Sequence, residues 1–487
     1  MLFHTPAFIV FLIVVFTLWS LTPRAWYREV IILLASLFFY GFWDVRFLPL
    51  LVGVWVLTWL TINRMHAAPD GSRKRAMFSI LGVVLLLAIL AIFKYVGFFG
   101  DVFGGREQLA ALELLPANLL DSVAPLGLSF VTFQAIGLIV DYRRGELTEA
   151  PGLFATGRFL TFFPQLIAGP IERYTHLAPQ LEGKALAQQP PIDRRIATGL
   201  TLFAIGFFRK AVGDLLGFYT DPIFDDIGNA EPHLVMLGLL GFTLQIYFDF
   251  AGYSEMARGI GRLFGVDLAI NFRAPYFARN IQDFWRRWNM TLSFWFRDYL
   301  YIPLGGSRLG VPRHVLNLFV TMTLCGLWHG AAINFVVWGA LHAIFQSVLV
   351  LKRLALPRRR ERGAATTPAD WISSVGARIL TLLCVIYAWM FFRIRSAEDL
   401  WIAHEKLGAF FLDPIIGAVN LPLMVLIGCC FALDGWIERR GDYVTPLGQA
   451  IGHRRLIVWG LLSAVLICAG ALILSVMPAR VFIYFEF

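Results

Sequence analysis

The sequence predicts an all-α polytopic integral membrane protein, with roughly 11–13 transmembrane or re-entrant helices and interfacial amphipathic helices. Hydrophobic residues make up 58% of the 487 positions and charged residues 15%, against about 45–50% and about 25% in a soluble domain. The apolar residues come in runs of about 20, the length that crosses a bilayer as a helix. Cations gather in the short loops between those runs.

Apolar runs fall near 6–22, 28–44, 47–63, 77–99, 123–141, 154–171, 196–217, 234–256, 313–330, 332–351, 374–394, 419–436 and 455–477. The first ends in Thr-Pro-Arg rather than at a small-residue cleavage site, so it reads as a transmembrane helix and not a removed signal. Residues 100–122 and 172–195 read as polar connections. The stretch 352–372 reads as a basic, then Ala/Thr/Pro-rich, flexible loop, and 400–418 as a short amphipathic piece. With no long linker, residues 1–487 read as one membrane domain. No internal repeat suggests a secondary transporter.

The net charge is +9. Arg64, Arg73, Lys74 and Arg75 share one loop, and Lys352, Arg353, Arg358, Arg359, Arg360 and Arg362 another. Cations in short loops mark the cytoplasmic face. The charge therefore points to membrane lipid as partner rather than nucleic acid. The five cysteines, Cys325, Cys384, Cys429, Cys430 and Cys468, lie in apolar runs without a C-x-x-C pair. They read as small buried hydrophobes, and neither a disulfide framework nor a metal site is indicated.

The region 267–312 is too charged for a simple span and too aromatic for an ordinary loop. Every cation in its run from Asp267 to Gly310 is arginine. It reads as an amphipathic helix in the interface, or one dipping into the protein. Trp285, Trp288 and Trp295, at spacings of three and seven, would share one helical face. Arg286, Arg287 and Arg297 would then face lipid phosphate or an anionic ligand. An aromatic belt with snorkelling arginines reads equally from these residues.

Most of the nine histidines lie near span ends or in loops. His329 and His342 instead sit in LCGLWHGAAINFVVWGALHAIF, inside apolar sequence. Polar rings placed in a membrane segment are costly and mark functional candidates. On one continuous helix their thirteen-residue separation would be about 20 Å, too far to ligate a common metal unless the segment breaks near Gly330. A neutral imidazole can take a proton from an alcohol as its oxygen attacks a thioester carbonyl, a contribution of roughly 10²–10⁴-fold. The alternative for each ring is a structural bond to a carbonyl between helices.

Other polar groups fall in apolar runs: Gln134, Gln165, and Gln245, Tyr247, Asp249, Tyr253 and Glu255. An intramembrane Asp249 must be paired or wet, with Arg258 or Arg273 as its expected partner. There is no H-E-x-x-H, G-x-S-x-G or Walker A loop, and the carboxylates are too scattered to nominate a glycosidase pair.

Five blocks together resemble one family. They are PLGLSFVTFQAIGLIVDYRRGE at 125–146, FFPQLIAGPIER at 162–173, YFDFAGYSEMARG at 247–259, NFRAPYFARNIQDFWRRWNMTLSFWFRDYLYIPLGG at 271–306 and LWHGAAINFVVWGALH at 327–342. The family is that of the membrane-bound O-acyltransferases, nearest its alginate O-acetylating branch and more distantly its teichoic acid D-alanine-transfer branch. The resemblance covers about 120–345 strongly. It implies helices around a water-filled funnel, with His329 of the WHG block as the reactive histidine. The second polar position, in the FWRRW-x-M block, is usually histidine in those two branches; here it is Asn289. An amide cannot act as a base but can donate to an oxyanion. His329 is thus expected as sole base and Asn289 as auxiliary. Trp285, Arg286, Arg287, Trp288, Arg297, Asp298, Tyr299, Trp328, Gln134, Gln165, Asp249 and His342 are expected as substrate-binding or supporting residues.

The resemblance further implies no bound cofactor, and an acyl donor that is acetyl-CoA or an acyl-carrier thioester in the cytoplasm. The acyl group would pass toward a polysaccharide hydroxyl, directly or through an extracytoplasmic acetyltransferase partner, from a multi-pass protein of the bacterial inner membrane. Two other readings stand beside it: a non-catalytic channel or flippase for a lipid-linked sugar, and an acyltransferase for a small secreted molecule or peptide.

Overall fold

Long apolar runs with few charges must satisfy their backbone groups internally, and helices do this. The computed structural model describes residues 1–102, 125–355, 368–412, 420–440, 452–476, 480 and 483. Its regular elements are all helical. The expected connection through 103–122, the arginines at 358–362, and residues 413–418 lie outside the described residues.

The helices are α1 Pro6–Leu21, α2 Ala25–Trp43, α3 Leu48–His66, α4 Arg73–Val102, α5 Leu128–Arg143 and α6 Leu153–Thr161. They continue as α7 Ile192–Asp225, α8 Pro232–Leu263, α9 Ile281–Trp285 and α10 Met290–Phe296. The last are α11 Val311–His329, α12 Ile333–Ala355, α13 Pro368–Arg393, α14 Ala397–Leu412, α15 Leu421–Arg440 and α16 His453–Ser475. Short helical turns fill 163–166, 174–187 and 297–301. Among the described residues, eight helices are long and apolar enough to cross a membrane, and two shorter apolar helices cover Pro6–Leu21 and Leu421–Trp436. The protein is multi-pass. In α4 only 22% of the apolar window is buried, and Ile80, Leu81, Val84 and Leu85 point outward. In α8 the share is 78%. A helix apolar all round but exposed belongs against lipid, whereas α8 is enclosed by protein.

The chain groups into two compact units. Unit 1 comprises Met1–Phe207, Tyr253–Ala269 and Val444–Val465. Its core is aromatic: Phe3 stacks on Tyr253 at 4.5 Å, and Phe163 meets Phe39 at 5.8 Å and Phe264 at 5.7 Å. Here the expected span at 154–171 is corrected. It is α6, a non-helical break at Phe162 and a single turn at Phe163–Leu166. Pro164 lacks an N–H and would clash with the carbonyl four residues back, so the helix stops at Thr161. The break is pinned by side chains. Ser36 Oγ accepts the Phe163 N–H at 3.1 Å, and Gln165 Nε2 donates to the Phe159 carbonyl at 2.7 Å.

Unit 2 comprises Phe208–Gly252, Ile270–Tyr443 and Leu466–Phe487. It holds the α11–α12 hairpin, whose close approach needs two glycines. A Cβ on Gly326 would overlap the Phe335 carbonyl, and one on Gly339 the Met322 carbonyl.

Candidate active site

The region 267–312 is not one amphipathic helix, contrary to its sequence pattern. It is a chain of short pieces broken at two residues with left-handed backbone, Ala274 (φ 41°) and Asn289 (φ 39°). Asn is among the few residues that enter this region readily. The break is stitched by hydrogen bonds. Asn271 Oδ1 accepts from Thr291 Oγ1 at 2.6 Å, its carbonyl accepts the Met290 N–H at 2.9 Å, and the Arg273 N–H donates to the Arg287 carbonyl at 3.0 Å. Trp285, Trp288 and Trp295 consequently do not share a face of one helix. Trp288 is fully buried beside Phe272 (5.1 Å) and Phe284 (5.6 Å), whereas Trp295 packs on Tyr299 at 5.1 Å. Arg286 and Arg297 are exposed. Arg297 pairs with Asp298 at 2.6 Å and Arg287 with Asp283 at 3.0 Å.

The two central histidines converge. The 20 Å spacing of a continuous helix does not hold, because α11 ends at His329 and Gly330 is extended (φ −161°, ψ 151°) before α12 returns antiparallel. Both rings reach Trp338: His329 at 5.1 Å between centroids and His342 at 4.7 Å. His329 also meets Trp328 at 4.9 Å and Phe392 at 5.4 Å. Asn334 Nδ2 donates to the Phe391 carbonyl at 2.9 Å and so fixes the end of α13 where Phe392 stands. Trp389 closes the wall, 5.7 Å from Trp338 and 5.0 Å from Trp288. His342 accepts the Trp285 indole N–H on Nδ1 at 3.2 Å, which leaves its proton on Nε2.

This aromatic lining is buried, yet rich in hydrogen-bonding capacity. His329 is 4% exposed and Asn289 1%. Both amide atoms of Asn289 and the indole N–H groups of Trp288, Trp338 and Trp389 are buried without a partner among the described residues. Each such group costs roughly 1–3 kcal/mol. Concentrated in one place, they point to a site that receives polar atoms from elsewhere.

Asp249 is explained differently from its sequence expectation. Its partner is Lys210, at 2.9 Å, which also binds Asp214 at 2.5 Å; Asp249 Oδ2 accepts the Ile483 N–H at 2.7 Å. Arg258 could not serve. Nine residues along the helix put it about 180° around the axis from Asp249, and it pairs with Glu255 at 3.1 Å. Gln134 and Gln165 are buried in unit 1.

Sequence reasoning missed Trp338, Trp389, Phe392, Lys210 and Asp214. For the last two a signal existed: two opposite charges four residues apart inside the apolar run 196–217. The aromatic residues carried none, since an aromatic in an apolar helix is ordinary.

The profile of the membrane-bound O-acyltransferase family matches residues 141–390, a span that contains Asn289, His329, Trp338 and His342. The chain is 36% identical over 386 residues to the probable alginate O-acetylase AlgI of Pseudomonas aeruginosa, covering 79% of this chain and 70% of that one. It is 36% identical over 436 residues to the peptidoglycan O-acetyltransferase of Helicobacter pylori, covering 82% and 78%. It is 34% identical over 245 residues to the teichoic acid D-alanyltransferase of Bacillus subtilis, covering 48% and 60%.

Proposed function

The chain belongs to the membrane-bound O-acyltransferase family, and from that premise we propose that it moves an acetyl group from a cytoplasmic thioester, acetyl-CoA or an acyl carrier, toward a hydroxyl of an exported polysaccharide. The protein is a multi-pass membrane acyltransferase with O-acetyltransferase relatives. The donor, the polymer acceptor, transfer to it directly or through an extracytoplasmic partner, and a place in the bacterial inner membrane are parts of the proposal. The names of the relatives, acting on alginate and on peptidoglycan, support an extracytoplasmic glycan as acceptor.

The observation that carries the reading is His329 at the α11–α12 break, walled by Trp328, Trp338 and Phe392. In the proposed step the acceptor oxygen attacks the thioester carbonyl carbon as His329 takes the hydroxyl proton. The Asn289 amide N–H donates to the developing oxyanion. The C–S bond then breaks, and the leaving thiolate takes the proton back from His329. The aromatic wall keeps water from competing for the acyl group. Trp285 and His342 pack on Trp338, at 5.8 Å and 4.7 Å between ring centroids, and act as positioning residues.

The test is in cells. A deletion strain complemented with wild type should export acetylated polymer. The same strain carrying His329→Ala at equal membrane abundance should export polymer without ester acetate, read by NMR. Undiminished acetate in the variant contradicts the reading.

A further inference from the structure

We propose that a basic cavity at the cytoplasmic ends of α3, α4 and α5 seats the headgroup of one anionic phospholipid. The inference goes beyond the acyl-transfer reading and does not depend on it. The cavity encloses about 670 Å³ and lies wholly within unit 1. Its lining includes His66 at the end of α3, Asp70, Arg75 and Ala76 around the start of α4, and Arg143 and Arg144 at the end of α5.

Helix direction and charge together give its side of the membrane. Helix α2 starts beside Arg24 and ends at Trp43. Helix α3 returns and ends with Arg64 and His66, and α4 starts with Arg73, Lys74 and Arg75. These cations gather at one face, and a basic face is the cytoplasmic one. The cytoplasmic leaflet is also the one that carries anionic lipid.

The lining selects the charge of the ligand. Three arginines line the cavity against one carboxylate, so it favours an anion. Arg75 is held in place beforehand. It pairs with Asp70, donates to the Tyr142 carbonyl at 3.2 Å and lies 5.0 Å over the Tyr142 ring. The Tyr142 hydroxyl is in turn 2.8 Å from His66 Nδ1. Arg143 and Arg144 are exposed and put two further cations into the lining. Guanidinium forks match the paired oxygens of a phosphate.

The outer face of α4 selects a lipid over a soluble phosphate. Ala76 lines the cavity, and Ile80 and Val84 follow it one and two turns deeper on the same helical face. Ile80 is 55% exposed and Val84 54%, with Met77 and Leu81 exposed beside them. A phosphate in the cavity therefore stands above an apolar stripe that suits acyl chains. At roughly 30 Å³ per water-sized group, the space exceeds what a lone phosphate fills and takes a complete phosphoglycerol headgroup.

The experiment follows lipid retention by the full chain in detergent micelles, using native mass spectrometry. The probes are phosphatidylglycerol, zwitterionic phosphatidylcholine and soluble glycerol 3-phosphate. Wild type should retain one phosphatidylglycerol in preference to phosphatidylcholine, and glycerol 3-phosphate should not displace it. Arg143→Gln with Arg144→Gln should weaken that retention at least about tenfold, the scale of two cations at a membrane surface. Arg73→Gln with Lys74→Gln removes two exposed cations of the same loop that do not line the cavity, and should change retention far less. Ala76→Phe keeps every charge but obstructs the cavity above the apolar stripe, and should weaken retention too. Thermal melts establish that each variant is folded. Equal losses in the two paired variants would reduce the binding to the general attraction of a basic surface and overturn the site. Equal retention of phosphatidylcholine, or displacement by glycerol 3-phosphate, overturns it as well. Should the Arg143 and Arg144 change prevent folding, Ala76→Phe decides: undiminished retention in it overturns the proposal.

Discussion

His329 meets Trp338 nearly edge-on, with ring centroids 5.1 Å apart and planes at 85°. The contact exists because Gly330 is extended and the hairpin glycines let α12 pack directly on α11. Removing the indole takes away the shared support of both histidines. Trp338→Ala should cost about 3–5 kcal/mol of stability and most of the acetyl transfer. Trp338→Phe should keep the fold with a smaller loss of transfer. Thermal melts and transfer assays on both variants separate packing from chemistry.

Asn289 allows its amide to be tested apart from its backbone. Glycine accepts a positive φ without strain, whereas alanine pays about 1 kcal/mol there. Asn289→Gly should therefore fold as well as wild type and yet lose roughly 10²-fold in turnover, the scale of a missing oxyanion donor. Near wild-type turnover in Asn289→Gly would show that the amide is not used.

Trp285 donates to His342 at 3.2 Å. Trp285→Phe retains the ring but not the donor, so a loss of about 0.5–1.5 kcal/mol is expected. In the proposed step His342 only positions Trp338, so transfer should fall far less than in His329→Ala. Equal losses in the two variants would move His342 into the chemistry.

Lys210 holds two buried carboxylates, Asp214 and Asp249. Lys210→Met should destabilise by roughly 3–5 kcal/mol, because it leaves uncompensated buried charge. Lys210→Met combined with Asp214→Asn and Asp249→Asn should recover part of that loss in a thermal melt.

His176 gives a pH dependence in unit 1. The Glu172 carboxylate accepts its Nδ1–H at 2.7 Å and also the Ala269 N–H at 2.6 Å. The hydrogen bond to the Glu172 carboxylate, opposed by partial burial, raises His176 above its ordinary value of 6.5. A raised folded-state value means the contribution is fully present below the unfolded value. It is lost as pH rises through the folded one. Wild type should therefore lose melting temperature as pH rises above 6.5 more than His176→Gln does. Parallel curves would remove this contribution from the account.

The helices were legible in the sequence because lipid demands long apolar runs, and run length is read directly. The breaks were not. Phe162–Pro164 carried a proline warning, but the break at Asn289 depends on bonds from Asn271, twenty residues away from Thr291. The convergence of His329 and His342 was hidden for the same reason: linear spacing measures distance only while the helix continues. Asp249 was matched to arginines near it in sequence, whereas its partner Lys210 comes from the preceding helix. The WHG block drew attention to His329, but the aromatic wall around it was not legible, since Trp338, Trp389 and Phe392 look like ordinary core.

The most direct measurement of the central claim is transfer of labelled acetyl from acetyl-CoA in membranes of the native host, which retain any partner, carrying wild type, His329→Ala or Trp285→Phe at equal abundance. The account predicts transfer by wild type, reduced but clear transfer by Trp285→Phe, and background alone for His329→Ala. Transfer by His329→Ala at the wild-type rate would contradict it.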